Sequence, residues 1–175
     1  MSECLRGADL KLDLKEIFNN DKTLDFNYNL DLSAVDFNSV KPFKEPASIA
    51  GNVKSAAGVV EVDYKVDCIY DNPCDRCLCE TKQDLSYRFS HILVNMVYTD
   101  DFPDNYIICE NGVLDLDELA IGDILLDLPT VFLCSDKCKG LCQYCGTDLN
   151  EKDCGCTAEK NVEKSPFSSL KSLLD

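Results

Sequence analysis

The sequence predicts an α+β fold in which a curved antiparallel sheet carries one main packed helix and is followed by a C-terminal cysteine-rich module. Three observations support this prediction. Apolar and polar residues alternate over 59–70, an amphipathic run with capping signals spans 115–129, and six of the twelve cysteines fall within 134–156. The predicted organisation is an α+β body at 1–133, the cysteine-rich module at 134–156, and a linker with a short amphipathic helix at 157–175.

The strands are predicted from residues that alternate between two faces. TLDFNYNLDLS at 23–33 places leucine or an aromatic residue at every second position. After the connection KPFKEPAS, the segments SIAGNVK and VVEVDYKVDCIY are predicted to form a hairpin across SAAG. DLSYRFSHILV resumes the alternation after DNPCDRCLCE, so Cys74 and Cys77 are expected at the tip of a long antiparallel hairpin, in a sheet of about five or six strands.

The sequence predicts one helix from strong capping and periodicity signals and two shorter helices from weaker ones. Asp115 is predicted to cap the helix at 115–128, Glu118 to complete a capping box, and Pro129 to stop it. Its apolar stripe consists of Leu116, Ala120, Ile124 and Leu128. A short helix is also expected within 12–18, and SPFSSLKSLL near the C-terminus predicts one that docks on the body or binds a partner.

The charge is strongly acidic and unevenly distributed. A formal net charge of −15 argues against a protein that covers nucleic acid with its whole surface. Residues 51–133 carry 16 acidic and 5 basic side chains, whereas residues 134–175 carry 7 and 6. An acidic body suits a basic protein partner or serves solubility, and the near-neutral C-terminal part is the better candidate for contact with phosphate.

Several features predict a cytoplasmic protein. No segment approaches the roughly 20 apolar residues that a membrane-spanning helix needs, and the N-terminal residues lack the pattern of a secretory signal. In a reducing compartment, clustered cysteines more often hold a metal than form disulfides. The cysteine spacing therefore predicts metal binding.

Eight cysteines form four short-spaced pairs. They are Cys74 and Cys77, Cys134 and Cys138, Cys142 and Cys145, and Cys154 and Cys156. Tetrahedral zinc takes four thiolates, so four pairs make two complete structural sites. We expect 142–156 to form one local site, because GTDLNEKDCGC has too few apolar residues to fold by burial. The first two pairs would then form a long-range site.

Other uses of these cysteines remain open from the residues alone. A rival arrangement places Cys138, Cys142, Cys145 and one of Cys154 or Cys156 around a single zinc, which leaves Cys74 and Cys77 without partners. The spacing of Cys138, Cys142 and Cys145 also occurs in radical iron–sulfur enzymes, although there it stands early in a long barrel. Cys68 is interpreted as a small core residue, and Cys4, Cys79 and Cys109 as ordinary thiols.

The sequence gives little support for an enzyme. His91, the single histidine, falls in register with Leu85, Tyr87 and Phe89, which predicts a hydrogen-bonded structural histidine rather than a catalytic base. No phosphate-binding loop or dinucleotide fingerprint is present in the sequence. A metal-dependent or thiol redox enzyme is kept as the minority alternative, with no catalytic residues assigned.

Four motifs in this order closely resemble the YceD family, the large ribosomal RNA subunit accumulation proteins. They are CDRC at 74–77, DLDELAIGDILLDLP at 115–129, LCSDKCKGLCQYCGTDLNEKDCGC, and SPFSSLKSLL. The motifs cover most of residues 48–175, whereas the first 47 residues match only in general pattern. Cys74, Arg76 and Cys77 match the family's C-x-R-C signature.

The resemblance implies a non-enzymatic cytoplasmic factor for synthesis, processing or accumulation of large-subunit ribosomal RNA. Two partners are compatible with the residues. In one hypothesis the cysteine-rich module contacts ribosomal RNA through Arg76, Lys137, Lys139 and Lys152. In the other, the acidic body acts as a chaperone or adaptor for a basic large-subunit ribosomal protein and touches no RNA.

Overall fold

A computed structural model of the chain describes residues 10–20, 22–37, 39–95 and 106–156. The predicted C-terminal linker and helix at 157–175 lie outside these residues. The elements of the described part, in chain order, are β1 (Lys11–Asp13), α1 (Lys15–Asn19), β2 (Thr23–Leu30), β3 (Ala47–Ala56), β4 (Val59–Pro73), β5 (Glu80–Val94), β6 (Tyr106–Ile108), a 3-10 turn (Glu110–Gly112), β7 (Val113–Asp115) and α2 (Leu116–Asp127).

The chain divides into two compact units. The first comprises residues 1–72 and 82–130, and the second comprises 73–81 and 131–175. The second unit therefore joins the connection between β4 and β5 to the segment that follows α2.

The main sheet is open and has five strands in the order β2-β3-β4-β5-β6. The predicted hairpin is confirmed: β3 and β4 pair antiparallel, with Ile49 opposite Val66, across a turn at Ala57 and Gly58. The sheet is not antiparallel throughout, because β6 pairs parallel with β5 and places Ile107 opposite Leu93. A separate two-stranded sheet pairs β1 with β7.

The alternation predicted for β4 is observed as a fully buried face. The side chains on it are each at most 4% exposed: Val60, Val62, Tyr64, Val66, Cys68 and Tyr70. Gly51 on β3 stands opposite Tyr64, where a Cβ would overlap the Tyr64 side chain and the Asp63 carbonyl. Glycine is therefore required at this close approach of two strands.

Helix α2 has the predicted N-cap and apolar stripe. The Asp115 side chain accepts a hydrogen bond from the Glu118 N–H at 3.1 Å, as an N-cap does. The predicted stripe of Leu116, Ala120, Ile124 and Leu128 is buried.

Carboxylates on α2 bind polar side chains of the sheet strands. The Tyr28 hydroxyl donates to Asp117 Oδ1 at 2.7 Å. Asp123 Oδ2 lies 2.6 Å from His91 Nε2 and also accepts a hydrogen bond from the Tyr64 hydroxyl. Burial and the bond to Asp123 raise the pKa of Tyr64 above its ordinary value. His91 therefore has the satisfied structural environment that the sequence predicted.

Two cysteines of the first unit are core residues. Cys68 and Cys109 are buried, and burial raises the pKa of each thiol to about 11. Both are therefore protonated at neutral pH and poor metal ligands. Among the described helices, none is long and apolar enough to cross a membrane.

Candidate metal centre

The second unit brings the remaining described cysteines together in two clusters. The first contains Cys74, Cys77, Cys79, Cys134 and Cys138; the second contains Cys142, Cys145, Cys154 and Cys156. All four sulfurs of the second cluster lie within 4.8 Å of one another. The two clusters fit metal binding. In the first, the four sulfurs that all lie within 4.8 Å of one another belong to Cys74, Cys77, Cys79 and Cys134, whereas the predicted set has Cys138 in place of Cys79.

Two segments distant in sequence form the first cluster. The Asp75 N–H donates to the Phe132 carbonyl at 2.9 Å, and the Phe132 N–H donates to Asp75 Oδ2 at 2.6 Å. The Leu141 N–H donates to the Arg76 carbonyl at 3.0 Å. These hydrogen bonds fasten the CDRC loop to residues 132–141, which is why thiols from both segments converge.

Two sulfur separations in the first cluster match the edge of a tetrahedral zinc site. With Zn–S bonds of about 2.3 Å, the sulfurs of a tetrahedron lie about 3.8 Å apart. Cys74 Sγ is 3.8 Å from Cys138 Sγ, and Cys77 Sγ is 3.6 Å from Cys134 Sγ. The Cys77–Cys79 separation of 3.3 Å is shorter than such an edge.

Sequence reasoning did not assign Cys79 to this cluster, and the structure corrects that interpretation. Cys79 is exposed, whereas Cys74, Cys77 and Cys138 are buried together against Leu133 and Leu141. The available signal was the similarity of CDRCLC to CQYCGT, which places Cys79 in the position of a threonine. The prediction used only the spacing within each cysteine pair, and Cys79 lies outside the four pairs.

An amide donor supports Cys138 as the fourth member of the tetrahedron. Asn150 Nδ2 donates to Cys138 Sγ at 3.5 Å, while Asn150 Oδ1 accepts from the Lys139 N–H at 2.8 Å. Outer partners of this kind orient a ligand and stabilise its anionic form. Arg76 Nη1 also donates to the Cys138 carbonyl at 3.1 Å, so part of its guanidinium holds the loop in place.

Backbone hydrogen bonds also position the second cluster, in this case within one short segment of the chain. Leu141 and Asp148 form a β-bridge, and the Leu149 N–H donates to the Gly140 carbonyl at 3.0 Å. Gly146 and Gly155 follow Cys145 and Cys154 with φ of 72° and 67°. Left-handed glycines let the chain turn tightly around the sulfurs.

Each cluster contains one thiol that ionises easily. Burial opposes ionisation of Cys74, but N–H groups of Cys77, Arg76 and Cys134 donate to its sulfur and lower its pKa to about 6. Hydrogen bonds from the hydroxyl and N–H of Thr147 lower the pKa of Cys145 to about 6.

Neighbouring thiols resist ionisation. Hydrogen bonding to Cys138 raises the pKa of Cys134 to about 11, and hydrogen bonding to Cys154 raises that of Cys156 to about 12. A divalent cation that displaces the remaining protons would neutralise much of the charge of four gathered thiolates.

The three predicted contact lysines lie on the second unit. Lys137, Lys139 and Lys152 are exposed, and none forms an ion pair with a residue in the described ranges. By contrast, seven lysines of the first unit lie within 3.6 Å of a carboxylate oxygen: Lys11, Lys15, Lys22, Lys44, Lys54, Lys65 and Lys82.

Comparison with known proteins gives one match. The family model described as "Large ribosomal RNA subunit accumulation protein YceD" matches residues 62–174, which include most of β4, all of α2 and both cysteine clusters. No curated protein and no solved structure matches the chain. The family's description concerns ribosomal RNA accumulation, and YceD is not a known enzyme family. On a match that covers well over half of its length, the chain belongs to the YceD family of large ribosomal RNA subunit accumulation proteins.

Proposed function

We propose that this protein is a non-enzymatic, cytoplasmic ribosome-biogenesis factor that supports the synthesis, processing or accumulation of large-subunit ribosomal RNA. We also propose that two zinc ions stabilise its second unit, which contains both cysteine clusters. Cys74, Cys77, Cys134 and Cys138 hold the first ion; Cys142, Cys145, Cys154 and Cys156 hold the second. Residues 134–156, with the hairpin tip at 74–77, then form the zinc module.

The metal assignment is supported by the donor set. Tetrahedral sites of four thiolates are typical of structural zinc or of iron, and catalytic zinc sites keep a position open for water. Both clusters supply at least four sulfurs, which leaves no such position. The zinc ions therefore stabilise the fold of a segment with few apolar residues rather than perform a reaction.

The observation that carries the RNA hypothesis is a set of three lysines on the second unit that form no ion pair with a described residue. The charge of an ion-paired lysine is partly neutralised by its carboxylate, whereas Lys137, Lys139 and Lys152 can each neutralise a phosphate. Arg76 is exposed and is included as a further contact, although one of its N–H groups donates to Cys138.

A second candidate is supported by the net charge. Four thiolates on one Zn²⁺ leave a charge of about −2, so two such sites make a chain of formal charge −15 more acidic still. An acidic protein of this kind could bind a basic large-subunit ribosomal protein as a chaperone or adaptor without touching RNA.

A salt titration of binding to fragments of large-subunit ribosomal RNA tests the first candidate. Direct phosphate contact predicts an affinity that falls steeply with salt, and replacing Lys137, Lys139 and Lys152 by glutamine should reduce the slope by about one unit per lysine. The matched control replaces three ion-paired lysines, Lys22, Lys65 and Lys82, by glutamine and should change the slope much less.

Purification of the protein from cells with and without nuclease separates the candidates. Ribosomal components that leave after nuclease treatment are held through RNA and support the first. A basic ribosomal protein that stays bound after nuclease, together with an absence of binding to every RNA fragment, would contradict the first candidate and support the second.

A further inference from the structure

The loops that open the two clusters share one backbone pattern. In the first, the Leu78 N–H donates to the Cys74 carbonyl at 2.9 Å and the Cys74 N–H donates to the Cys79 carbonyl at 2.8 Å. In the second, the Gly146 N–H donates to the Cys142 carbonyl at 2.9 Å and the Cys142 N–H donates to the Thr147 carbonyl at 2.8 Å. Residues 74–79 and 142–147 therefore correspond one to one.

The left-handed residue of each loop confirms the correspondence. Leu78 has a φ of 61° and Gly146 a φ of 72°, at equivalent positions directly after the second cysteine. A leucine at positive φ is uncommon, because its Cβ is crowded there. The first loop therefore keeps the shape of the second without the glycine that usually permits it.

Under this correspondence Cys79 occupies the place of Thr147. Cys145 Sγ lies 3.2 Å from Thr147 Oγ1, and Cys77 Sγ lies 3.3 Å from Cys79 Sγ. Thr147 is an outer partner of a ligand sulfur, since a neutral hydroxyl beside a thiolate acts as a hydrogen-bond donor. The same position in the first loop holds a thiol, which can react with oxidants as a hydroxyl cannot.

We propose that Cys79 is an oxidation site of the first zinc centre, at which a peroxide converts the Cys77–Cys79 pair to a disulfide and releases the metal. In this proposal Cys138, whose sulfur lies 3.8 Å from that of Cys74, is the fourth ligand, and the exposed Cys79 is the thiol left uncoordinated. This inference rests on zinc at the first cluster and is independent of RNA contact.

The chemistry balances with peroxide as the oxidant. The Cys79 sulfur attacks one peroxide oxygen, the O–O bond breaks, and Cys79 sulfenic acid and water form. The Cys77 thiolate then attacks the Cys79 sulfur and expels hydroxide, which takes up a proton. Two electrons pass from the two sulfurs to the peroxide, and the zinc loses Cys77 as a ligand.

The second centre provides an internal control. Its loop has the same hydrogen bonds but carries Thr147, so no uncoordinated thiol faces Cys145. Peroxide should therefore release zinc from the first cluster well before the second. At this position of the two loops the difference is one side chain, Cys79 in the first and Thr147 in the second.

Exchanging the side chains at positions 79 and 147 tests the proposal. The full-length, zinc-loaded protein is titrated with hydrogen peroxide, released zinc is followed with a colorimetric chelator, and disulfides are mapped by mass spectrometry. Wild type should release about one zinc early and contain a Cys77–Cys79 disulfide. Cys79→Thr should abolish the early release, and Thr147→Cys should make the second zinc leave early as well.

Three results would overturn the proposal: equal release from both wild-type centres, early release that persists in Cys79→Thr, or an early disulfide without Cys79.

Measuring the zinc content before peroxide is added distinguishes a failure of this proposal from a failure of the proposed metal sites. If untreated Cys79→Thr binds two zinc ions, Cys79 is not required as a ligand; if it has lost one, Cys79 is a required ligand and the inference is wrong. If untreated wild type binds none, the metal proposal itself fails.

Discussion

Cys74 Sγ and Cys138 Sγ lie 3.8 Å apart although 64 positions separate them in the chain. One belongs to the connection between β4 and β5, and the other follows α2. Within the second unit this contact brings two distant segments to one buried point, against Leu133 and Leu141. A zinc ion at that point would add to the stability of this small buried cluster.

The first prediction concerns the independence of the two sites. Cys74→Ser should lower the zinc content by about one ion per chain and leave the 142–156 cluster metallated, because the two clusters share no ligand. Elemental analysis gives the content, and protection of cysteines from alkylation identifies the remaining site. Cys68→Ser, which alters a core thiol outside both clusters, should retain both ions. Loss of both metals in Cys74→Ser would refute the two-site model, and loss of neither would show that Cys74 is not a required ligand.

The second prediction concerns the amide that faces Cys138. Asn150→Asp keeps an oxygen for the Lys139 N–H but places a negative charge beside a ligand sulfur. We expect the first site to lose about 10- to 100-fold in zinc affinity, the range typical of changed outer partners. Gln143→Glu makes the same chemical change at an exposed position of the second loop and serves as the control. Competition with a chelator measures both, and equal losses in the two variants would rule out a specific role for Asn150.

The third prediction is a pH dependence of zinc affinity. Cys74 and Cys145, with pKa values of about 6, are ionised at pH 7, whereas Cys134 and Cys156, at about 11 and 12, must release protons when zinc binds. Affinity should therefore rise with pH by about tenfold per pH unit for each proton released. Below about pH 6 the dependence should steepen, since Cys74 and Cys145 are then protonated in the metal-free protein as well. Chelator competition between pH 5 and 8 measures this, and a flat profile would be incompatible with thiolate ligation.

The fourth prediction compares two tyrosine hydroxyls of the first unit. The Tyr64 hydroxyl donates to Asp123, so Tyr64→Phe should reduce the free energy of unfolding by about 1 kcal/mol. The Tyr87 hydroxyl is buried without a hydrogen-bond partner in the described part of the chain, so Tyr87→Phe should be neutral or stabilising. Urea denaturation at saturating zinc measures both variants. Equal destabilisation by the two would argue against a specific contribution from the Asp123 bond.

Strong local signals made part of the fold predictable. The alternation in β4 and the caps and stripe of α2 were predicted because each reflects a period or a capping rule that acts within a few residues. The β1–β7 pairing was not predicted, because three-residue strands are too short to display a period. The parallel addition of β6 to β5 depends on tertiary contacts that no local pattern records.

The cysteine site was predictable for a different reason. Four short-spaced pairs had to be divided among tetrahedral sites, and counting alone favoured joining Cys74 and Cys77 to Cys134 and Cys138. Asn150 was missed, because an outer partner has no fixed spacing from the ligand it supports, and Cys79 was missed because it lies outside the four pairs. The folded structure places each beside a cysteine sulfur, Asn150 Nδ2 at Cys138 and Cys79 Sγ at Cys77.

Zinc content of the purified full-length protein tests the central claim most directly. We predict about two zinc ions per chain by elemental analysis and native mass spectrometry, with no absorption band in the visible range, as expected for two closed thiolate sites. A protein with no bound metal, or a brown protein containing iron, would contradict the account.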